Sequence, residues 1–317
     1  MHVLELFSGI GGMSFSLDFI PEKKVTAIEI NDIANKVYNA NFPNHKVMTR
    51  NITSLTANEL DNFDIWTMSP PCQPFTVQND SQQLGLEDAR SNAMIHLMNM
   101  LQVLKVKPKY FFLENVAGFA SSEGRSFVVD SLKSCGYFVT EFVLNPIDFG
   151  IPNSRNRFYI LARKTKFSSE LEIQFERKCI ESYLDTEKRK IVPDSILKYS
   201  VLDIVLPSDD SSNCFTKGYT KLAEGSGSVL QGKGDLQDRE KAYTAANIVN
   251  NRVTNIEVLR ELHLQFFSPV EVSRLLGFHN LVFPSEITDK QKYKLLGNSI
   301  NVDIVRKLLQ YLLSDSV

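Results

Sequence analysis

Residues 63–75, which read FDIWTMSPPCQPF, contain the pattern from which we predict the fold. A short apolar run that ends at Met68 is typical of a strand buried in a parallel sheet, and two prolines and a cysteine follow it. A second apolar run, residues 110–113, leads directly into Glu114. Ligands of α/β sheets bind at the carboxyl ends of neighbouring strands. The two segments therefore predict that the thiol of Cys72 and the carboxyl of Glu114 meet at one edge of a sheet.

A thiolate beside a carboxylic acid is a nucleophile next to a proton donor, which is what addition to the ring of a pyrimidine base requires. A lone cysteine after two prolines is more often a small buried apolar residue. The chemical interpretation of Cys72 therefore depends on Glu114 and on two arginines, Arg155 and Arg157. We expect both arginines on one strand, where their spacing of two residues places them on the same face and indicates a joint role.

The composition is that of an ordinary soluble chain, with 317 residues of which 43% are hydrophobic and 23% are charged. A net charge of −2 excludes a polycation, so any nucleic-acid surface must be a local basic patch. Four cysteines without a CxxC pair predict neither a disulfide framework nor a metal site. The first residues have no basic segment followed by a long apolar stretch, which predicts no signal peptide and no membrane span. We expect a cytoplasmic or nuclear protein.

Alternating apolar runs and helical patterns up to residue 163 indicate an α/β fold with a mainly parallel sheet and helices on both faces. The predicted strands are residues 3–7, 25–30, 63–68 and 110–113, with two more ending at Leu144 and near Leu161. Beyond this point the chain becomes charged and rich in glycine, and helical character returns near residue 289. We expect a first domain at 1–163, a small second domain at 164–285 and a C-terminal segment, 286–317, that returns to the first.

A glycine turn, residues 8–12, follows the first strand, so its backbone amides can face a polar cofactor group. The turn does not match G-x-G-x-x-G, because Ser14 stands in place of the third glycine. Glu29 ends the next strand, where a carboxylate typically holds ribose hydroxyls. Together they favour a nucleoside cofactor without separating NAD from S-adenosylmethionine.

Five motifs in this order resemble the cytosine-5 methyltransferase superfamily over nearly the whole chain. They are the cofactor loop 7–12, the nucleophile loop 70–73, the acid motif 114–116, the paired arginines 155–157 and the C-terminal cofactor motif 297–300. Within the superfamily the chain is similar to the tRNA-aspartate cytosine-5 methyltransferases. That similarity is carried by CFTKGY at 214–219, by EGSGSVLQ at 224–231 and by the compact segment between Arg163 and Cys214.

The resemblance implies a Rossmann-like, S-adenosylmethionine-dependent methyltransferase fold in which residues 164–285 recognise the target. It implies that the catalytic residues are Cys72, Glu114, Arg155 and Arg157. The cofactor S-adenosylmethionine, converted to S-adenosylhomocysteine, is expected at Phe7, Ser8, Gly9, Ile10, Gly11, Gly12, Glu29, Asn51, Ile52, Ser69, Asn298 and Ser299. Substrate contacts are expected at Cys214, Phe215 and Thr216. Asn51 departs from the aspartate usual in DNA enzymes, and its carbonyl is expected to accept from the adenine amino group.

The chemistry that this resemblance implies is covalent. Addition of the Cys72 thiolate to C6 of cytosine, with Glu114 donating near N3, makes C5 nucleophilic enough to accept a methyl group. A polar lid at 77–90 is expected to close over the base. The expected partner is the anticodon loop of tRNA-aspartate, and we expect a monomer. DNA is the second possible polymer, and the sequence also leaves open a catalytically silent nucleic-acid-binding homologue and a nicotinamide-dependent dehydrogenase.

Overall fold

The structure, a computed structural model, describes residues 1–71, 92–186, 189–222 and 224–314. Its strands are β1 (His2–Leu6), β2 (Lys24–Glu29), β3 (Lys46–Thr49), β4 (Ile65–Met68), β5 (Tyr110–Val116), β6 (Phe138–Leu144), β7 (Arg157–Arg163), β8 (Asp203–Val205), β9 (Ser228–Leu230), β10 (Ile248–Val249), β11 (Arg252–Val253) and β12 (Gln265–Phe266). Its α-helices are α1 (Gly12–Ser16), α2 (Asp32–Asn41), α3 (Ala57–Leu60), α4 (Asn92–Val103), α5 (Glu123–Ser134), α6 (Asp194–Leu197), α7 (Leu236–Ala245), α8 (Glu257–Arg260), α9 (Pro269–Leu275), α10 (Asp289–Gly297) and α11 (Val302–Leu312).

The main sheet of the described residues has seven strands in the order β3-β2-β1-β4-β5-β7-β6. Strands β1 to β5 run parallel to one another, while β7 is antiparallel to both β5 and β6. Strand order reverses beside β1, where β2 lies on one side and β4 on the other. Such a reversal opens a crevice at the carboxyl ends of the strands. The predicted α/β class with a mainly parallel sheet is confirmed.

The structure differs from the predicted elements at several points. Strand β3 was missed because its four residues form no apolar run and its side chains are partly or fully exposed. Strand β5 continues to Val116, so Glu114 lies within the strand rather than after it. The prediction that both arginines lie on one strand is wrong, because β7 begins at Arg157. The backbone amide of Arg155 donates instead to Oδ1 of Asn145 at 3.0 Å.

Helices cover both faces of the main sheet. One core contains buried apolar residues of α4 and α5 packed against residues of β4 and β5. Met94 and Met98 of α4 belong to it. The core on the other face contains α11, whose Ile304, Val305 and Leu308 are fully buried. Buried apolar area on both faces stabilises the parallel strands and fixes where their carboxyl ends lie.

The region between β7 and α10 contains a smaller sheet in the order β12-β9-β8. The last helix, α11, packs against α1 and β7. Ser16 Oγ donates to the carbonyl of Val302 at 3.1 Å, and Arg306 pairs with Asp18 at 2.8 Å. The end of the chain therefore lies beside the glycine turn. No helix among the described residues is long and apolar enough to cross a membrane.

Candidate active site

A cavity of about 1010 Å³ lies at the carboxyl ends of the central strands. Its walls include many of the residues predicted from the sequence: Phe7, Ser8, Gly9, Ile10, Gly12, Glu29, Asn51, Ile52, Ser69, Glu114, Arg155, Arg157, Thr216, Asn298 and Ser299. Cys72 and the predicted lid, 77–90, lie outside the described residues. The predicted site residues do not include several residues of the wall, among them Ile30, Asn31, Arg50 and Thr53. Ile30 directly follows Glu29 and Thr53 directly follows Ile52, so adjacency was the available signal.

The glycine turn has a left-handed backbone at Phe7, Gly9 and Gly11, with φ angles of 56°, 52° and 90°. A Cβ on Gly9 would meet no atom within 4 Å, so this side of the turn is open to the cavity. A Cβ on Gly11 would lie 2.7 Å from the ring of Phe42. The small size of Gly11 serves packing against α2. Gly11 is absent from the cavity wall, and the expectation that it contacts the cofactor stays a prediction.

The carboxylate of Glu29 is held in place by three backbone amides. Its Oε2 accepts from Gly9 N at 3.0 Å, and its Oε1 accepts from the amides of Ile30 and Asn31 at 2.9 Å each. A carboxylate has about four acceptor positions, so capacity remains for a donor in the cavity. Glu29 is thus a fixed acceptor suited to the hydroxyls of a ribose.

Asn51 caps a short turn in the cavity wall. Its Oδ1 accepts from both the amide and the hydroxyl of Thr53 at 3.0 Å, at the start of the 3-10 turn that begins at Ile52. An adenine amino group would have to share this carbonyl with Thr53. The expected contact with adenine stays a prediction.

Glu114 is almost fully buried, with 6% of its surface exposed. Its Oε1 lies 3.3 Å from Nε of Arg157. Burial raises the pKa of Glu114, and the charges of Arg157 and Arg155 oppose that shift without cancelling it. The carboxyl therefore keeps a proton to higher pH than an exposed glutamate does. A group of this kind can act as a proton donor near neutral pH.

The start of the nucleophile loop is attached to both the acid strand and the cofactor turn. Asn115 Nδ2 donates to the carbonyl of Pro70 at 3.4 Å. Ser69 Oγ donates to the carbonyl of Phe7, also at 3.4 Å. Pro70 and Pro71 both line the cavity that contains Glu114. The residue immediately before Cys72 therefore faces the same cavity as the acid.

Arg155 is a buried connector with 3% of its surface exposed. Its Nη1 donates to Cys214 Sγ at 3.4 Å and to the carbonyl of Phe215 at 3.5 Å. Its Nη2 donates to the carbonyls of Gly297, at 3.3 Å, and Ser299. Arg155 thus joins the segment at 214–216 to the C-terminal cofactor motif. It reaches the cavity wall, but its side-chain hydrogen bonds go to protein.

The predicted substrate contacts divide into two groups. Phe215 is 2% exposed and packs edge-to-face against Tyr219 and Phe267, with ring centroids 4.9 and 5.2 Å away. Phe215 and Cys214 are absent from the cavity wall, and the expectation that they contact the substrate stays a prediction. An apolar ring gains more from the aromatic cluster than from water. Thr216 does line the cavity.

The residues of the cavity fit a nucleoside cofactor. Gly9 leaves open space, Glu29 offers oriented acceptors, and Asn298 and Ser299 complete the wall. The buried hydroxyl of Ser8 lacks a hydrogen-bond partner among the described residues, as a group awaiting a ligand does. Over those same residues, no cluster of three or more His, Cys, Asp or Glu side chains is placed to hold a metal ion.

The α/β fold, the cavity for a nucleoside cofactor and the buried acid are together the features expected of a methyltransferase. The chain belongs to the C-5 cytosine-specific DNA methylase family, whose sequence model matches residues 1–314. This confirms the resemblance found in the sequence.

Relatives matched over nearly their full length indicate which methyltransferases this chain resembles. A human protein named tRNA (cytosine(38)-C(5))-methyltransferase is 33% identical over 98% of this chain and 99% of its own length. The Schizosaccharomyces pombe protein of the same name is 39% identical over 99% and 97%. The solved structure of S. pombe Dnmt2 methyltransferase has a TM-score of 0.85 at 37% identity and covers 99% of this chain and 98% of its own. That of Entamoeba histolytica EhMeth has a TM-score of 0.87 at 32% identity, with the same coverage.

Proposed function

We propose that this enzyme transfers a methyl group from S-adenosylmethionine to C5 of a cytosine in tRNA, through a covalent adduct with Cys72. The observation that carries the proposal is the buried carboxyl of Glu114, which shares one cavity with the cofactor turn and with Pro70 and Pro71. The names of the full-length relatives support tRNA as the polymer. The segment CFTKGY at 214–219 supports tRNA-aspartate, with the target in its anticodon loop.

The proposed reaction begins with addition of the Cys72 thiolate to C6 of the cytosine. A C–S bond forms, the C5–C6 double bond opens, and Glu114 gives its proton to N3. The cofactor, when bound, supplies a methyl group to the carbon nucleophile that this addition creates at C5. A base then removes the C5 proton, the C–S electrons return to sulfur, and N3 returns its proton to Glu114. The net result is 5-methylcytosine and one released proton.

The chain's own residues provide the environment for each step. Glu29, Asn298 and Ser299 would hold the nucleoside and amino-acid parts of the cofactor. Arg157, 3.3 Å from Glu114, orients the acid. Burial raises the pKa of Glu114 and so favours its protonated form. An unpaired loop base reaches such a cavity at lower cost than a base in a duplex, because it has fewer stacking partners to lose.

A transfer assay with labelled S-adenosylmethionine tests this function. The substrates are a tRNA-aspartate transcript, the same transcript with cytosine 38 replaced by uridine, and duplex DNA. Wild type and Cys135→Ala, which changes a cysteine remote from the cavity, should methylate the first transcript, and Cys72→Ala should give only background. Equal transfer by wild type and Cys72→Ala would refute the covalent route.

DNA is the second candidate substrate. A Dictyostelium discoideum protein named DNA (cytosine-5)-methyltransferase is 33% identical over 99% of this chain. Competition between tRNA and duplex DNA for a limiting amount of enzyme separates the two candidates. A preference for the duplex would overturn the choice of tRNA.

A further inference from the structure

The carboxyl of Glu5 is fully buried in the central strand β1, close to the glycine turn. Its Oε2 accepts from Ser14 Oγ at 2.5 Å and from Tyr38 OH at 2.8 Å. Ser14 Oγ and Tyr38 OH are themselves 2.7 Å apart. The three oxygens thus form a closed triangle inside the protein.

This triangle connects the two segments that carry the cofactor contacts. Ser14 belongs to α1, which begins directly after the glycine turn, and Tyr38 belongs to α2, which follows Glu29. The ring of Tyr38 also packs beside the turn, since a Cβ on Gly11 would lie 3.1 Å from it. One buried carboxyl therefore holds both segments at a fixed separation.

The surroundings of Glu5 favour the neutral acid. Helix α1 contributes the hydroxyl of Ser14 and the backbone amides of Met13 and Ser14, and α2 contributes the hydroxyl of Tyr38. The adjacent strands place Ala27 and Thr67 opposite Glu5. None of these groups is a cation. Beyond Tyr38, His45 Nδ1 lies 3.1 Å from the phenol oxygen.

The protonation states follow from burial. Burial and the nearby charge of Lys23 lower the pKa of His45 to about 4, so His45 is neutral at pH 7. Tyr38 donates its one hydroxyl proton to Glu5, so His45 in its Nδ1-protonated tautomer can donate to the phenol oxygen. Burial raises the pKa of Glu5 to about 7 against the opposing hydrogen bonds from Ser14 and Tyr38. The other oxygen of Glu5, Oε1, has no hydrogen-bond partner among the described residues. A negative charge on such an oxygen is costly.

We propose that Glu5 is a positioning residue for the cofactor site: its neutral carboxyl keeps Ser14 and Tyr38 together beside the glycine turn, and loss of its proton weakens cofactor binding. This inference rests on the proposed use of S-adenosylmethionine. The folded protein holds the proton of Glu5 more tightly than the unfolded chain does, so the neutral carboxyl and the positioning that it provides are present at low pH. Both are lost as pH rises through about 7.

Calorimetric binding of S-adenosylhomocysteine as a function of pH tests the inference. In wild type, the Kd should rise by up to about tenfold between about pH 7 and about pH 8, whereas Glu5→Gln should bind with a flat profile. Glu123→Gln, which changes an exposed glutamate at the start of α5, should keep the wild-type profile. A flat profile in wild type would overturn the inference. No binding at any pH would instead refute the proposed cofactor.

Tyr38→Phe gives a second test that does not require Glu5→Gln to fold. The lost hydroxyl normally lowers the pKa of Glu5, so its removal should move the midpoint of the binding profile to higher pH. An unchanged midpoint, or one moved to lower pH, would contradict the role assigned to Glu5. The position of the midpoint is the readout, because a merely structural loss would change only the affinity.

Discussion

The guanidinium of Arg155 lies 3.4 Å from the sulfur of Cys214, and it also donates to the carbonyls of Gly297 and Ser299. One buried cation thus joins the segment at 214–216, which lies between β8 and β9, to the C-terminal cofactor motif. The cavity wall formed by Thr216 and Asn298 depends on this junction.

Replacing Arg155 by methionine should therefore destabilise the whole protein. Buried carbonyls that lose their donors cost about 1–3 kcal/mol each, so we expect the free energy of unfolding to fall by about 2–5 kcal/mol. Arg177→Met is the control, because Arg177 is exposed and its 3.6 Å pair with Asp210 should contribute less than about 1 kcal/mol. Urea denaturation measures both. Equal stability of the two variants would show that the hydrogen bonds of Arg155 do not stabilise the junction between the segment at 214–216 and the C-terminal cofactor motif.

Glu114→Gln should lower kcat by about 10²–10⁴-fold while binding S-adenosylhomocysteine normally, because the amide cannot donate the proton that the acid donates. The pKa of Glu114 is raised by burial, so in wild type the acid is lost only as pH rises through that raised value. The alkaline decline of kcat should therefore be present in wild type and absent in Glu114→Gln. An identical alkaline decline in both proteins would remove Glu114 from the proton transfer.

Gly297→Ala should disturb the cavity because the two backbones come very close at this point. A Cβ on Gly297 would lie 2.2 Å from the amide nitrogen of Lys217, and backbone cannot move aside as a side chain can. We expect weaker binding of S-adenosylhomocysteine and of RNA. Gly218→Ala is the matched control, since its Cβ would meet only the end of the Leu222 side chain at 2.9 Å. Normal affinity of Gly297→Ala for S-adenosylhomocysteine and for RNA would mean that the backbones at 217 and 297 can move apart without disturbing either binding site.

Lys217 should contact a phosphate of the RNA. It lines the cavity and is exposed, whereas Lys221, four residues later, is exposed but lies outside the cavity wall. Lys217→Ala should raise KM for tRNA and reduce the slope of log affinity against log salt by about 1. Lys221→Ala should change the slope much less. Equal slopes in wild type and Lys217→Ala would exclude the phosphate contact.

Much of the fold follows from local sequence patterns. Strands β1, β2, β4 and β5 are short apolar runs, and a turn or a polar motif follows each of them. The edge strand β3 has no such run, and hydrogen bonding to β2 alone defines it. Local patterns reveal strands buried on both faces better than strands at an edge.

The site was predictable in its chemistry but not in its supporting contacts. The motifs identified Glu114 and the cofactor turn, because those residue types carry the chemistry themselves. Three side chains have roles set by contacts that the motifs do not reveal: Arg155 bonds to Gly297, Phe215 packs on Phe267, and Asn51 caps its own turn. Such contacts depend on folded geometry, which a single sequence does not specify.

Trapping the adduct tests directly whether Cys72 forms a covalent bond to C6 of the target cytosine. In tRNA that carries 5-fluorocytidine at the target position, no C5 proton is available for removal, so the enzyme should stop after methylation with its C–S bond intact. Mass spectrometry of wild type and Cys135→Ala should find the RNA fragment attached at Cys72, and Cys72→Ala should give no adduct. Methylation of normal tRNA by a wild type that forms no adduct with the fluorinated RNA would contradict the account, as would an adduct on any other residue.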